Sequence, residues 1–238
     1  HATYGSGLVT ENCVVLAQGK LDPQDNVFHV SRLSLPPSPE ALDTTPISAS
    51  TDTDMGSLVF LSDVWLDKPE VIAKLRLLFR GMHDSGMKLS GFVFMGSFTS
   101  IPIGSNTAIL TQGFQELAKI ILQFPSMRLL KYIFVPGPSD PVPAVLPSPP
   151  IPGVFTSSIT SKLPNAVFTT NPCRLEYAGK KIVIFRSNLA NDLRRNTVMQ
   201  TQDLQSAELH DRVVQTVIHS GHLAPTNKSI LWNYDHAL

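Results

Sequence analysis

Polar side chains follow three apolar runs at the positions where an α/β sheet usually carries its chemistry. Asp63 comes just after the run at 58–61, Ser97 after 92–95, and Asp140 after 132–135. The carboxyl ends of the strands lie at one edge of such a sheet, so we expect these side chains to gather there. Carboxylates and imidazoles bind divalent cations, and His222 adds an imidazole further along the chain. Asp63, Ser97, Asp140 and His222 are therefore candidate site residues.

The elements that would position these side chains are short β-rich runs that alternate with amphipathic helices. This alternation is typical of an α/β fold, a sheet with helices packed on its faces. A first helix is predicted from Asp67, where Asp67 and Glu70 have the spacing of a capping box, and a second helix ends before Phe124. Proline-rich residues 136–152 are predicted to lack regular structure. The five predicted strands cover residues 58–61, 92–95, 132–135, 166–169 and 182–185.

A last helix is predicted over residues 203–219, with Gly221 in position to end it. Its apolar residues recur at helical spacing, which predicts one buried face. That face would consist of Leu209, Val213, Val214, Val217 and Ile218.

The N-terminal part of the chain has a different pattern. Apolar runs at 14–17 and 27–30 flank a polar turn at 22–26, which predicts a β-hairpin. An isolated hairpin is only marginally stable, so we expect it to belong to a larger sheet. Residues 36–54 are mainly Pro, Ser, Thr and Asp and are predicted to form a linker between two modules.

Composition excludes several classes of protein. Lys+Arg and Asp+Glu each number 19 in 238 residues, so the formal net charge is zero. This balance argues against a protein that holds nucleic acid mainly by charge. The two cysteines lie far apart in the sequence, and no apolar run reaches the length of a membrane span, so we expect a soluble intracellular protein. The first residue, His1, and the ending at 234–238 suggest a fragment of a longer polypeptide.

The order of the strand-end motifs resembles the calcineurin-like metallophosphoesterases over residues 58–222. Asp63 and Asp140 match acidic ligands of that family, and His222 matches a lone histidine. Other positions depart from the pattern: Trp65 stands where a histidine belongs, Ser97 where the bridging aspartate belongs, and Pro138 and Ser139 where asparagine and histidine belong. Two-metal hydrolysis needs these ligands. The resemblance thus implies a phosphoesterase-type β-sandwich flanked by helices, with a degenerate site, no bound metal or other cofactor, and no catalytic residue.

Four runs in the correct order are more specific, and they resemble the B-subunit family of the replicative DNA polymerases alpha, delta and epsilon, in particular its epsilon members. The runs are residues 61–67, 134–141, 168–174 and 220–225. The resemblance implies three parts: the C-terminal part of an OB-fold at 1–35, the linker at 36–54, and an inactivated phosphoesterase-like domain at 55–238 that lacks its final motif.

The family resemblance also implies a function. We expect a non-catalytic accessory subunit of a nuclear replicative polymerase that binds the C-terminal region of the catalytic subunit and contacts other holoenzyme subunits. DNA would be contacted indirectly or weakly, and no membrane would be involved.

Three alternatives remain. One is a residual phosphoesterase with a single metal at Asp63, Asp140 and His222. Another is the equivalent accessory subunit of polymerase alpha or delta. The third is direct binding of single-stranded DNA by the N-terminal module, which needs aromatic residues interleaved with basic ones. Residues 1–35 offer Tyr4, Lys20, Phe28 and Arg32.

Overall fold

The computed structural model shows strands and helices along most of the chain. It describes residues 3–5, 7–37, 56–102, 107–198, 206–221, 223 and 231–232. The strands are β1 (Thr3–Tyr4), β2 (Leu16–Asp22), β3 (Val27–Ser34), β4 (Ser57–Ser62), β5 (Leu89–Met95), β6 (Lys131–Val135), β7 (Val145–Leu146), β8 (Ala166–Phe168), β9 (Cys173–Tyr177), β10 (Lys180–Ile184) and β11 (Leu231–Trp232). The helices are α1 (Pro69–Asp84), α2 (Ala108–Leu122), α3 (Gly153–Thr160), α4 (Leu189–Asn196) and α5 (Ser206–Ser220). No described helix is both long and apolar enough to cross a membrane.

The chain divides into two units. One consists of His1–Thr45 with Asn188–Ser229, and the other of Pro46–Ser187 with Ile230–Leu238. The first unit therefore contains residues that the sequence predicted to be part of a domain over 55–238. The assignment of 1–35, 36–54 and 55–238 to an OB-fold tail, a linker and a phosphoesterase-like domain stays a prediction. Most of the linker lies outside the described residues.

The first unit contains the predicted hairpin. β2 pairs antiparallel with β3, and β1 adds to β3 in parallel, which confirms the hairpin and places it in a three-stranded sheet. Asn26 ends the turn with a φ of 54°, a left-handed conformation that asparagine tolerates better than most residues.

The predicted apolar face of the last helix, α5, is partly wrong. Val214 and Ile218 are 54% and 52% exposed, whereas Thr216 is fully buried. The Thr216 hydroxyl accepts a hydrogen bond from the Leu8 N–H at 2.7 Å and donates one to the Arg212 carbonyl at 2.6 Å. These bonds allow a polar side chain to be buried. The helix is thus rotated from the predicted orientation: Thr216 faces the interior of the unit, and Val214 and Ile218 face outward.

The second unit is built on a parallel sheet with the strand order β4-β5-β6-β8. Successive side chains on a strand point to opposite faces, and one face is strongly aromatic. Phe92, Phe94, Tyr132 and Phe134 are fully buried on that face and pack against α1, α2 and α3. The rings of Phe94 and Phe134 stack with centroids 5.2 Å apart, within the range of favourable aromatic pairs.

The opposite face of the parallel sheet packs against the β9–β10 hairpin. Val93 and Val135 on the sheet contact a cluster with Cys173 and Ile184 on the hairpin. Cys173 is therefore a buried small hydrophobic residue. A helical layer, a parallel sheet and a hairpin confirm an α/β fold with flanking helices. The phosphoesterase-type β-sandwich and the OB-fold remain predictions.

The predicted capping box at the start of α1 is wrong. The helix begins at Pro69, Lys68 precedes it, and no side chain caps its N-terminus. Proline is favoured at the first helical position because it has no N–H to satisfy. The Asp67 carboxylate instead accepts hydrogen bonds from the N–H and the hydroxyl of Ser100 at 2.8 and 2.5 Å. Asp67 therefore ties the start of α1 to the loop after β5.

Candidate functional site

The ends of three adjacent strands bring the predicted site residues together. Asp63 follows β4, Ser97 follows β5 and Asp140 follows β6. The Asp63 N–H donates to the carbonyl of Met95 at 3.0 Å, and the Ser139 N–H donates to the Ser97 hydroxyl at 3.1 Å. The structure thus confirms that these side chains gather at one edge of the sheet. We refer to this edge, formed by Asp63, Ser97, Asp140 and Arg186, as the sheet mouth.

Asp140 is the most deeply buried carboxyl of the sheet mouth. It is 5% exposed, and its two oxygens accept hydrogen bonds from the N–H groups of Phe98 at 2.8 Å and Gly137 at 2.7 Å. Burial raises the pKa of Asp140 from 3.8 to about 6, although both N–H groups and the charge of Arg186 act in the opposite direction. Asp140 therefore joins the loops after β5 and β6.

Arg186, which follows β10, places its guanidinium between two of these strand ends. Its Nε donates to the Gly96 carbonyl at 2.5 Å, and its Nη2 forms an ion pair with Asp63. The Arg186 side chain is only 18% exposed. The sheet mouth therefore contains a cation of its own, supplied by the protein chain.

Asn171 fixes the backbone that carries this guanidinium. The Asn171 carbonyl oxygen Oδ1 accepts from the Arg186 N–H at 2.9 Å, and Nδ2 donates to the Arg186 carbonyl at 2.7 Å. Asn171 precedes β9 and Arg186 follows β10, so the pair closes the base of the hairpin.

Two glycines allow the loops of the sheet mouth to approach each other. A Cβ on Gly96 would overlap the Asp140 carboxylate and the Gly137 nitrogen, and a Cβ on Gly137 would overlap the Gly96 backbone. The loops after β5 and β6 are therefore in backbone contact. This close approach excludes any larger side chain at either position.

The remaining predicted residues have different positions. Trp65 is 39% exposed, and its N–H donates to the Asp63 carbonyl at 3.0 Å. Pro138 is exposed at the tip of the loop after β6, and Ser139 beside it is half-buried. His222 lies outside the described residues. The structure thus places Trp65, Pro138 and Ser139 on the loops of the sheet mouth, and it leaves the role of each as a prediction.

The acceptor atoms at the sheet mouth already have partners within the chain. Both Asp140 oxygens bind N–H groups, Asp63 pairs with Arg186, and the Ser97 hydroxyl accepts from Ser139. Within the part of the chain that the structure describes, no three His, Cys, Asp or Glu side chains are grouped so that they could hold a metal ion. The described residues of the sheet mouth therefore do not fit the pair of divalent cations that two-metal hydrolysis needs.

Arg186 and Asn171 are the residues that sequence reasoning missed. Arg186 directly follows the predicted strand at 182–185, so the strand-end argument applied to the first three strands would have found it. No local signal pairs it with Asp63, which lies 123 residues earlier in the sequence.

Comparison with known proteins identifies the family. The family model for the DNA polymerase alpha/epsilon B subunit matches residues 58–238. The chain belongs to this family. It is similar to DNA polymerase epsilon subunit 2 of Homo sapiens, at 35% identity over 100% of this chain and 49% of the relative. It is also similar to the DNA polymerase epsilon B subunit of Arabidopsis thaliana, at 31% identity over 100% of this chain and 50% of the relative.

The similarity to the epsilon branch of this B-subunit family extends to distant eukaryotes. The DNA polymerase epsilon B subunit of Saccharomyces cerevisiae is 24% identical over 95% of this chain and 45% of its own length. The chain spans about half the length of the curated relatives it matches. The family resemblance that the four sequence runs predicted is thereby confirmed.

Proposed function

We propose that this chain acts as part of a non-catalytic accessory subunit of the replicative DNA polymerase epsilon complex. Its relatives in human, plant and yeast are all named as epsilon subunits, and the matches cover nearly the whole of this chain. In this proposal the subunit works in the nucleus and binds the C-terminal region of the polymerase catalytic subunit. It also contacts other holoenzyme subunits, and its contact with DNA is indirect or weak.

The position of Arg186 carries the proposal that the subunit is not an enzyme. Two-metal phosphoester hydrolysis needs two divalent cations that clamp the phosphate and activate a water. The guanidinium pairs with Asp63, the acidic residue directly after β4, and it lies where added positive charge would be repelled. We therefore infer an inactivated phosphoesterase-like domain over 55–238, in which Asp63, Trp65, Ser97, Pro138, Ser139, Asp140 and His222 are former metal-site positions.

Holding these loops together is the function that the geometry of the sheet mouth supports. The Arg186 and Asp140 side chains connect loops after β4, β5, β6 and β10. A framework of this kind presents a fixed surface to a partner. The N-terminal residues 1–35 would add the end of an OB-fold to that surface.

Co-expression tests the partner assignment. The chain, within a subunit of the relatives' full length, should co-purify with the C-terminal region of the epsilon catalytic subunit and not with the corresponding regions of the alpha and delta catalytic subunits. Equal recovery with an alpha or delta region would contradict the assignment to epsilon. Failure to associate with any of them would overturn the proposed function and leave the family membership intact.

Metal analysis tests the proposed lack of catalysis separately. The purified chain should contain substoichiometric manganese, zinc and iron, and it should not hydrolyse a generic phosphate ester. Stoichiometric metal together with turnover that is lost in Asp63→Asn would establish the residual phosphoesterase instead.

A further inference from the structure

The end of the parallel sheet opposite to the sheet mouth contains a small pocket with a mixed polar and apolar lining. It lies where β5 and β6 begin, and its volume is about 130 Å³. At about 30 Å³ for each water molecule, this is room for about four waters or for one aliphatic side chain. Met82, Met87, Leu89, Met127 and Leu130 provide its apolar lining. Methionine side chains adapt their shape to different apolar partners, which suits a binding pocket.

The walls of this pocket are held in place by contacts within the chain. His83 at the end of α1 forms a 2.7 Å hydrogen bond with the Ser126 hydroxyl, and its ring lies 5.6 Å from that of Phe124. Met127 is 1% exposed and provides a rigid base. The pocket is therefore formed before anything binds to it, which lowers the entropic cost of binding.

An exposed leucine lies beside the pocket on a fixed backbone. Leu129 is 83% exposed, and Met87 on the other side is 51% exposed. The Leu129 carbonyl accepts a 2.9 Å hydrogen bond from the Asn165 side chain, and the Asn165 carbonyl accepts from the Tyr132 N–H at 3.1 Å. An apolar side chain that is presented to water on an ordered backbone is typical of an interaction site.

The segments that line the pocket are basic, although the chain as a whole is neutral. Residues 80–88 and 125–130 contain three Lys or Arg residues and a single acid, Asp84. The whole chain has 19 residues of each sign. Positive charge therefore exceeds negative charge in these segments. The three basic residues, all exposed, are Arg80, Lys88 and Arg128.

We propose that this surface binds an acidic peptide segment of a partner protein that inserts one aliphatic or aromatic side chain into the methionine-lined pocket. The pocket and Leu129 supply the apolar contact, and the basic residues supply charge complementarity, which steers and selects the partner. Nucleic acid has the negative charge but no free aliphatic anchor, and it would leave the pocket empty. This inference does not depend on the proposed polymerase function.

A designed peptide provides the direct test. The probe is a fluorescein-labelled peptide of about eight residues with a central Leu–Phe pair and acidic residues on both sides. Fluorescence anisotropy with the full chain should give a dissociation constant on the order of 10–100 μM. Replacement of the Leu–Phe pair by serines, or of the acidic residues by lysines, should each weaken binding by about tenfold or more.

Matched protein variants locate the binding site. Leu129→Ser and Lys88→Glu should each weaken binding of the acidic peptide by about fivefold or more. Leu77→Ser and Lys74→Glu change the same residue types at exposed positions of α1 and should leave the affinity within about twofold. Thermal unfolding of each variant separates a lost contact from a lost fold.

Three outcomes would overturn the proposal. The first is no detectable binding of the acidic peptide by the folded chain. The second is binding that Leu77→Ser weakens as much as Leu129→Ser does. The third is tight, Lys88-dependent binding of an oligothymidylate of about 20 nucleotides without binding of the peptide, which would assign the surface to single-stranded nucleic acid.

Discussion

The two ends of the parallel sheet use their polar and charged residues in opposite ways. At the sheet mouth, the side chains of Asp63, Asp140 and Arg186 form hydrogen bonds or an ion pair with groups on the neighbouring loops. Their polar groups therefore point toward the protein. At the opposite end, Leu129, Arg80 and Lys88 are exposed, and Arg128, which is also exposed, donates hydrogen bonds to the Leu122 carbonyl. Position in the sheet alone would assign function to the sheet mouth. The contacts within the chain instead support a structural role for the sheet mouth, and a binding role for the other end is our proposal.

Substitution of Gly96 by alanine should have the largest effect, because the new Cβ would overlap the Asp140 carboxylate and the Gly137 backbone. We expect Gly96→Ala to lower the free energy of unfolding by about 3 kcal/mol or more, measured by chemical denaturation. Gly81→Ala is the control, since nothing lies within 4 Å of a Cβ at that exposed helical position. It should stabilise the chain by about 0.5–1 kcal/mol. A tolerated Gly96→Ala would show that the loops are not held in contact.

The buried Asp140 carboxyl should make stability depend on pH. Its folded-state pKa is raised from 3.8 to about 6, so the protonated form contributes stability that is fully present below pH 3.8 and lost as the pH rises through about 6. The shift corresponds to at most about 3 kcal/mol at about 1.4 kcal/mol per pKa unit. Between pH 4 and 7, the free energy of unfolding of the wild type, measured by chemical denaturation, should fall more steeply with rising pH than that of Asp140→Asn. Parallel curves for the two proteins would contradict it.

Removal of the guanidinium should also weaken the sheet mouth. Arg186→Met keeps much of the side-chain length but leaves the Gly96 carbonyl and Asp63 without their partner, and we expect a loss of about 2 kcal/mol. Arg76→Met on the exposed side of α1 should change stability by less than about 0.5 kcal/mol. In a double-mutant cycle with Asp63→Asn, additive losses would show that the ion pair does not couple the two loops.

The smallest effect on stability is expected at the opposite end of the sheet. Leu129 is 83% exposed, so Leu129→Ser should change the free energy of unfolding by less than about 0.5 kcal/mol. The same variant should weaken peptide binding clearly, which would separate binding from folding. A large loss of stability in Leu129→Ser would mean that this leucine is part of the core and would remove the contrast between the two ends.

The local spacing of apolar residues was sufficient to predict the main elements of the second unit. The apolar runs at 58–61, 92–95 and 132–135 became β4, β5 and β6. In β5 and β6 most of these apolar side chains are buried, on both faces of the sheet, as a central parallel strand requires. The short helices α3 and α4 and the strand β9 were not predicted. The prediction that residues 136–152 lack regular structure is wrong at β7, Val145–Leu146, which pairs with β11. Gly153–Thr160 contains Ser and Thr residues and two β-branched aliphatic residues outside a clear helical period, so its sequence gives a weak helical signal.

Long-range hydrogen bonds account for most of what sequence reasoning did not predict. Asp67 binds Ser100 instead of its own helix, Thr216 is buried because Leu8 supplies a partner, and Arg186 reaches Asp63 across the fold. Each contact depends on an approach that only the folded chain produces. Strand-end position correctly predicted that Asp63, Ser97 and Asp140 lie close together, but it could not show that their oxygen atoms are already engaged.

The mutual hydrogen bonds between Asn171 and Arg186 close the base of the β9–β10 hairpin. The tip at Ala178 and Gly179 lies at the far end of both strands, where φ is 53° and 70°. The tip is also held, because the Tyr177 hydroxyl forms a 2.8 Å hydrogen bond with the Ser90 hydroxyl and donates to the Gly56 carbonyl. The hairpin is therefore attached to the rest of the unit at both of its ends, and a tag inserted between Ala178 and Gly179 would have to preserve the Tyr177 contacts.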